Sequence, residues 1–161
     1  MDYTIPPTTT IGHTHLRVSD IEKSLTFYRD ILGFEIMQRY GDSAVFLSAG
    51  GYHHHIGLNT WYSKGAPLAP DKGCGLFHVA ILYARRPELA IALKRLLQAN
   101  YPLTGASDHG VSEALYLNDP DGNGIELYWD RPRDRWPLDN RSNLMMVTEP
   151  LDLQALLAEA E

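Results

Sequence analysis

Asp119-Pro120-Asp121-Gly122-Asn123-Gly124-Ile125-Glu126-Leu127 joins a tight polar turn to an alternating apolar segment that carries a carboxylate. The Pro-Asp-Gly-Asn run is turn chemistry, because Pro presets φ while Gly and Asn tolerate the left-handed backbone that tight turns use. Ile125 and Leu127 then share one face of a strand, and Glu126 stands on the other. A carboxylate among apolar neighbours is destabilised by desolvation unless a cation or hydrogen-bond donors meet it. Two histidines occupy similar strand-like contexts upstream, His13 in Ile11-Gly12-His13-Thr14-His15-Leu16-Arg17-Val18 and His78 in Leu76-Phe77-His78-Val79-Ala80-Ile81-Leu82. Together the three suggest a metal site.

Working outward, the chain reads twice through one programme. Residues 10–18 predict a strand; Ser19 is placed to cap a helix whose Ile21, Leu25, Tyr28 and Ile31 recur at helical spacing, and Gly33 ends it. Residues 34–40, 43–48 and 54–60 predict three short strands separated by Gly-containing turns. The second pass runs through a strand at 75–82, a helix at 87–99, a segment near Leu103, and strands at 114–118 and 125–129. The expected fold is α+β, two βαβββ modules whose paired, curved mixed sheet surrounds a metal cavity. A single domain spans residues 1–134, with module 1 at 10–62 and module 2 at 74–132; a C-terminal extension with a short amphipathic helix occupies 135–161. Neither module can bury a sheet face alone, so two must pack, and a homodimer is expected.

The repeat sets an expected register. Laid down without gaps, Ala44-Val45-Phe46-Leu47-Ser48 falls on Ala114-Leu115-Tyr116-Leu117-Asn118, His13 falls on His78, and Ile56 falls on Glu126. The first module then contributes one ligand and an apolar side chain, which makes three ligands rather than four.

Two imidazoles and one carboxylate leave coordination positions open, as in the facial triad that non-haem Fe(II) uses; Mn(II) or Zn(II) suits the same donors. Taken singly, His13 and His78 read equally well as hydrogen-bonded core histidines and Glu126 as a solvated edge carboxylate. Their equivalent places in a repeat favour the metal. His109, in Ser107-Asp108-His109-Gly110-Val111-Ser112, is a candidate acid or base, and Tyr116 a candidate hydrogen-bond partner for a substrate hydroxyl; a surface histidine and a core tyrosine are the plain alternatives. Of His53-His54-His55, strand alternation predicts that His54 shares the face of Ile56 and adjoins the site, whereas His55 faces away. His15 is read as packing beside the site, and Cys74 as inert.

At 161 residues the chain is long enough to bury a core without staples. A formal charge of -6, with no Lys/Arg cluster to displace phosphate counterions, argues against nucleic acid as a partner. No apolar run approaches the about 20 residues of a membrane helix, and the start Met1-Asp2-Tyr3-Thr4-Ile5 is no signal peptide. One cysteine suits a reducing compartment, so a cytoplasmic location is expected.

These residues resemble the vicinal oxygen chelate superfamily, which includes extradiol ring-cleavage dioxygenases, glyoxalase I and fosfomycin-resistance transferases. The likeness covers residues 10–132 and rests on His13-Thr14-His15-Leu16-Arg17-Val18-Ser19-Asp20, Phe27-Tyr28, Leu32-Gly33-Phe34, Phe77-His78-Val79-Ala80 and the opening turn. Gly50-Gly51-Tyr52-His53-His54-His55-Ile56-Gly57-Leu58-Asn59-Thr60-Trp61 looks most like catechol 2,3-dioxygenase-like members. By position, the resemblance makes His13, His78 and Glu126 the metal ligands and Tyr116 the residue that holds a substrate hydroxylate. It makes His109 the acid or base, with His54 as a further proton carrier. The glyoxalase branch adds a fourth ligand where Ile56 is expected to stand, so the resemblance implies an Fe(II) enzyme that cleaves a catechol-type aromatic diol with dioxygen. The alternatives it carries are a glyoxalase-, lyase- or thiol-transferase-like metalloenzyme and a metal-free small-molecule binder of the bleomycin-resistance type.

Overall fold

Short strands, several of them buried almost throughout, build two units. The computed structural model describes residues 3–70 and 72–160; Met1 and Asp2 at the start, Asp71 in the linker and Glu161 lie outside them. The first unit runs as far as Glu22 and resumes over Phe34–Ala66. Its strands β1 (Thr14–Arg17), β2 (Glu35–Tyr40), β3 (Ala44–Ser48) and β4 (Ile56–Asn59) form one mixed sheet in the order β1-β4-β3-β2, with β1 and β4 parallel. Leu16, Val18, Val45, Leu47, Ile56 and Leu58 supply its buried side chains. Each contributes about 1.5–3 kcal/mol by leaving water.

The second unit comprises Lys23–Gly33 and the chain from Pro67 onward. Helix α1 (Ile21–Leu25) crosses the boundary and widens into a π-helical stretch, Thr26–Ile31, before Gly33 reverses the chain at φ +89°. Phe27 and Tyr28 are buried on this segment, and Phe27 packs on Tyr101. Helix α2 (Arg86–Gln98) starts with Pro87 in its first turn and with Glu88 accepting the Arg85 amide, then buries Leu89, Ala90, Leu93 and Leu96. Strands β5 (Val79–Tyr83), β6 (Gly105–Asp108), β7 (Ser112–Asn118), β8 (Gly124–Asp130) and β9 (Glu149–Pro150) lie in the order β5-β8-β7-β6-β9, with β5 and β8 parallel. The short helix α3 (Leu153–Leu157) follows, capped by the Asp152 carboxylate and anchored by buried Leu156. Two mixed sheets with few helices bear out the α+β expectation.

Several details differ from the sequence reading. The strands expected at 10–18 and 75–82 start at Thr14 and Val79, so His13 and His78 each stand one residue ahead of a parallel strand. The strand expected at 54–60 starts at Ile56, leaving His53-His54-His55 in a turn where strand alternation does not apply. Nothing in the local pattern predicts β9, which adds to the sheet edge by pairing with β6.

The gapless register is also corrected. Ile56 pairs with Thr14 and Leu47, and Ile125 pairs with Val79 and Leu117. Ile56 is therefore the counterpart of Ile125, and the counterpart of Glu126 is Gly57. The first hairpin carries one extra residue: Leu47 pairs nine positions on, Leu117 eight positions on. Gly50 and Gly51, at φ +67° and +77°, absorb the insertion as backbone that other residues adopt only with strain.

Candidate active site

Asp119 organises the turn that delivers Glu126. Its carboxylate accepts the amides of Asp121 and Asn123, the Asn123 side-chain amide and the buried Tyr28 hydroxyl, each at 2.9 Å. Gly122 takes φ +81°, and its amide closes the turn on the Asp119 carbonyl at 3.0 Å. At Gly124 a Cβ would lie well inside contact distance of the Phe77 carbonyl oxygen and 3.2 Å from the His78 Cβ. Only a bare Cα lets β8 pass so close to the approach to β5. This brings Glu126 beside His78.

His78 Nε2 lies 2.9 Å from Glu126 Oε2. Tyr116 stands directly opposite Glu126 in the β7–β8 ladder, and its hydroxyl donates to Glu126 Oε1 at 3.2 Å. On its other side the same hydroxyl lies 2.7 Å from His109 Nε2, while His109 Nδ1 lies 2.8 Å from the Val147 carbonyl oxygen. The second unit thus connects His78, Glu126, Tyr116 and His109 in one line. Burial, followed by the charge and hydrogen bond of Glu126, pushes the Tyr116 phenol up to about 12, so it keeps its proton at neutral pH. One hydroxyl proton between a carboxylate and an imidazole can be given to either, which suits proton relay.

The His109 loop is held from beneath. Asp108 accepts the Gly110 amide at 2.8 Å and pairs with Arg131 at 2.6 Å. Arg131 also reaches buried Glu113 at 2.8 Å, and Arg86 binds the other Glu113 oxygen at 2.7 Å. Neither Asp108, Glu113 nor Arg131 stood out in the sequence, because their partners come from separate elements and share no local motif. The one available hint was Glu113 beside the apolar run Ala114-Leu115, a carboxylate needing a cation.

An octahedral metal about 2.1 Å from each ligand sets neighbouring donor atoms about 3 Å apart. The Nε2–Oε2 separation of 2.9 Å matches that spacing. His78 Nδ1 is buried and has no hydrogen-bond partner among the described residues. Nitrogen and carboxylate oxygen together suit Fe, Mn or Zn. Within each unit, among the described residues, no three His, Cys, Asp or Glu side chains form a group able to hold a metal ion.

The first unit gathers its own histidines. The His13 ring lies 4.3 Å from His54 and 6.4 Å from His53, and the Nδ1 atoms of His53 and His54 are 2.8 Å apart. His54 packs 5.0 Å from Phe46, whose place opposite Gly57 corresponds to that of Tyr116 opposite Glu126. His15 fills the room left by the missing side chain at Gly57, where a Cβ would come within 2.9 to 3.1 Å of its ring. Burial, then the neighbouring His13, lowers the pKa of both His15 and His54. His55 serves the turn, its Nδ1 lying 3.2 Å from Ser48 Oγ and taking the Ala49 amide at 3.3 Å.

This double-module topology, with a histidine before each parallel strand, coincides with a family match: the description Glyoxalase/Bleomycin resistance protein/Dioxygenase superfamily fits residues 10–127. The chain belongs to that superfamily. Among curated relatives it is 42% identical over 153 residues to catechol-2,3-dioxygenase of Bacillus subtilis (strain 168), covering 94% of this chain and 52% of that one. It is 27% identical over 137 residues to the manganese-dependent 2,3-dihydroxybiphenyl 1,2-dioxygenase of Geobacillus genomosp. 3, covering 83% of this chain and 40% of that one. The chain thus spans about half the length of these superfamily relatives. A glyoxalase/dioxygenase structure from Nostoc punctiforme shares the fold at a TM-score of 0.63 and 18% identity, covering 82% of this chain and 99% of that one. Among the described residues of this superfamily member, no helix is long and apolar enough to cross a membrane.

Proposed function

We propose that this superfamily member is a metal-dependent extradiol-type dioxygenase that opens a catechol-type aromatic diol with dioxygen, its metal held by His78 and Glu126 with His13 as the third donor. One observation carries this reading: Glu126 turns one oxygen toward His78 Nε2 at 2.9 Å and the other toward a Tyr116–His109 pair. Ligand and proton relay meet on one carboxylate. The 42% identity to a catechol-2,3-dioxygenase supports the substrate class and the use of dioxygen.

A divalent metal, Fe(II) in preference to Mn(II) or Zn(II), supplies Lewis acidity and a route for electrons when bound. The protein's own contribution is proton and charge control. Tyr116 donates through its hydroxyl to an acceptor oxygen of the diol, and His109 Nε2 takes or returns a proton through that hydroxyl. His54, packed on His13 in the first unit, is the candidate for a second proton carrier. A cytoplasmic homodimer is part of the same reading.

Gly57 at the register position of Glu126 counts against a four-ligand glyoxalase-type centre, since glycine offers no side-chain donor. The decisive experiment is anaerobic purification and reconstitution with Fe(II), followed by oxygen uptake against a panel of catechols. One metal per chain and diol-dependent uptake, both abolished in His78→Ala and Glu126→Ala, are expected. Stoichiometric Fe(II) without uptake on any diol would move the assignment to isomerase or thiol-transfer chemistry, and absence of bound metal would leave a binding protein.

A further inference from the structure

The C-terminal segment returns to His109 from far along the chain and touches it through both backbone groups of Val147 and through Thr148, whose Oγ1 lies 3.5 Å from Nδ1. The Val147 amide donates to the His109 carbonyl at 3.1 Å, and the Val147 carbonyl oxygen lies 2.8 Å from His109 Nδ1. Two residues on, β9 extends the sheet beside the same loop, with Glu149 opposite Asp108 and Pro150 opposite Ser107. Gly110, at φ +74°, lets the segment settle on the loop: a Cβ there would lie 3.0 Å from Pro137 and 3.4 Å from Val147. The segment is itself braced. Met145 donates to the Pro137 carbonyl at 2.9 Å, Asp139 accepts the amides of Arg141 and Asn143 at 2.7 and 2.8 Å, and the Trp136 indole donates to the Arg131 carbonyl at 2.8 Å. Farther on, Arg86 pairs with Glu159 and Lys94 donates to the Ala160 carbonyl.

We infer that this segment is a working part of the site, and that the Val147 carbonyl is a positioning group which holds His109 in its Nδ1–H tautomer. A carbonyl oxygen only accepts, so the 2.8 Å contact requires the hydrogen on Nδ1. In the neutral ring Nε2 is then a bare lone pair, and the Tyr116 hydroxyl 2.7 Å away turns its single hydrogen to it, leaving Glu126 Oε1 at 3.2 Å as the other position that hydrogen can take. The opposite tautomer would present Nε2–H to the phenol and leave Nδ1 facing a carbonyl oxygen, two acceptors opposed. The segment therefore makes His109 a proton acceptor toward Tyr116, where the imidazole of free histidine favours the hydrogen on Nε2. The role of His109 in turnover rests on the proposed function, whereas its tautomer stands apart from it.

The test is a long-range proton–nitrogen NMR correlation on full-length, histidine-labelled protein loaded with Zn(II), in which protonated and bare ring nitrogens have separate shifts. His109→Gln assigns the signals. The expected wild-type result is a protonated Nδ1 and a bare Nε2 at His109. Val147→Pro, which removes one half of the clamp, should shift the population toward Nε2–H and lower kcat about tenfold with KM little changed, a part of the roughly 10²–10⁴-fold that general acid–base catalysis contributes. A semisynthetic chain carrying an ester in place of the Val147–Thr148 amide weakens the carbonyl acceptor without altering side chains, and should shift the tautomer in the same direction. Nε2–H in the wild-type protein overturns the inference, as does a tautomer unmoved by both changes. Correct tautomers in a protein without oxygen uptake would instead sink the dioxygenase reading and leave this inference standing.

Discussion

Gly124 and His78 are in steric register: the Cα of the first passes so close to the backbone leading into the second that a methyl group on Gly124 would overlap the Phe77 carbonyl oxygen and stand 3.2 Å from the His78 Cβ. The closest obstacle is backbone, which cannot swing aside as a side-chain tip can. Gly124→Ala should therefore destabilise the protein by about 2 kcal/mol or more, as overpacking does. It should also weaken metal uptake more than a surface glycine change such as Gly41→Ala. Urea denaturation and metal titration measure the two effects, and a stability within 0.5 kcal/mol of wild type (about the scatter of surface substitutions) would show that the close approach is not needed.

Gly57 and His15 form the corresponding pair in the first unit. A Cβ on Gly57 would lie 2.9 Å from the His15 ring, so Gly57→Ala should cost about 1–3 kcal/mol. Here the obstacle is a side chain. In His15→Ala the same change should be nearly neutral, and a double-mutant cycle reads the difference. Additive penalties would mean that the His15 ring is not what Gly57 makes room for.

Glu113 is buried at 3% exposure and joins Arg86 to Arg131, which in turn holds Asp108 beneath the His109 loop. Glu113→Ala leaves two guanidinium groups short of a carboxylate and should cost about 3–5 kcal/mol, the usual penalty for breaking a buried pair from one side. Glu113→Gln should recover part of this by keeping the acceptor oxygen. Equal chemical denaturation midpoints for wild type and both variants would remove this network from the account of how His109 is placed.

Alkaline pH probes the Asp119 hub. The Tyr28 phenol is held well above the ordinary value of 10.0, first by burial and then by the adjacent Asp119 charge and hydrogen bond. Tyr83 and Tyr101 are pushed up to about 12, chiefly by burial. A raised folded-state pKa means that the native chain holds protons the unfolded chain releases; the associated stability is complete below about pH 10 and falls as pH climbs through the folded values. Wild type should thus lose stability above pH 10 more steeply than Tyr28→Phe, which has no phenol to titrate. At neutral pH the variant should be weaker by about 1.5–3 kcal/mol for the hydrogen bond lost to a carboxylate. Parallel stability curves above pH 10 would contradict the assigned shift.

Much of the fold was legible because its signals are local. Turn chemistry around Asp119, helical spacing from Ile21 to Ile31 and the helix expected at 87–99 each follow from neighbours a few positions apart. The repeat was legible for the same reason, since both modules carry the same run of short elements. The register was not. One extra residue in the first hairpin, absorbed at Gly50-Gly51, moved the counterpart of Glu126 from Ile56 to Gly57. Backbone pairing counts residues across a turn, and a glycine pair hides an insertion from any gapless comparison of side chains.

The candidate site divides along the same line. From sequence alone, a histidine within each expected opening strand and a carboxylate on the last strand marked His13, His78 and Glu126, and the superfamily match bears out the family. Only the folded chain showed that Tyr116 bridges Glu126 and His109, that Arg131 and Glu113 brace the loop, and that Val147 faces the His109 ring. Those contacts join residues 7 to 38 positions apart on separate elements, through hydrogen bonds whose worth depends on burial and direction. Residue order specifies which groups are available, and only packing decides which donor meets which acceptor.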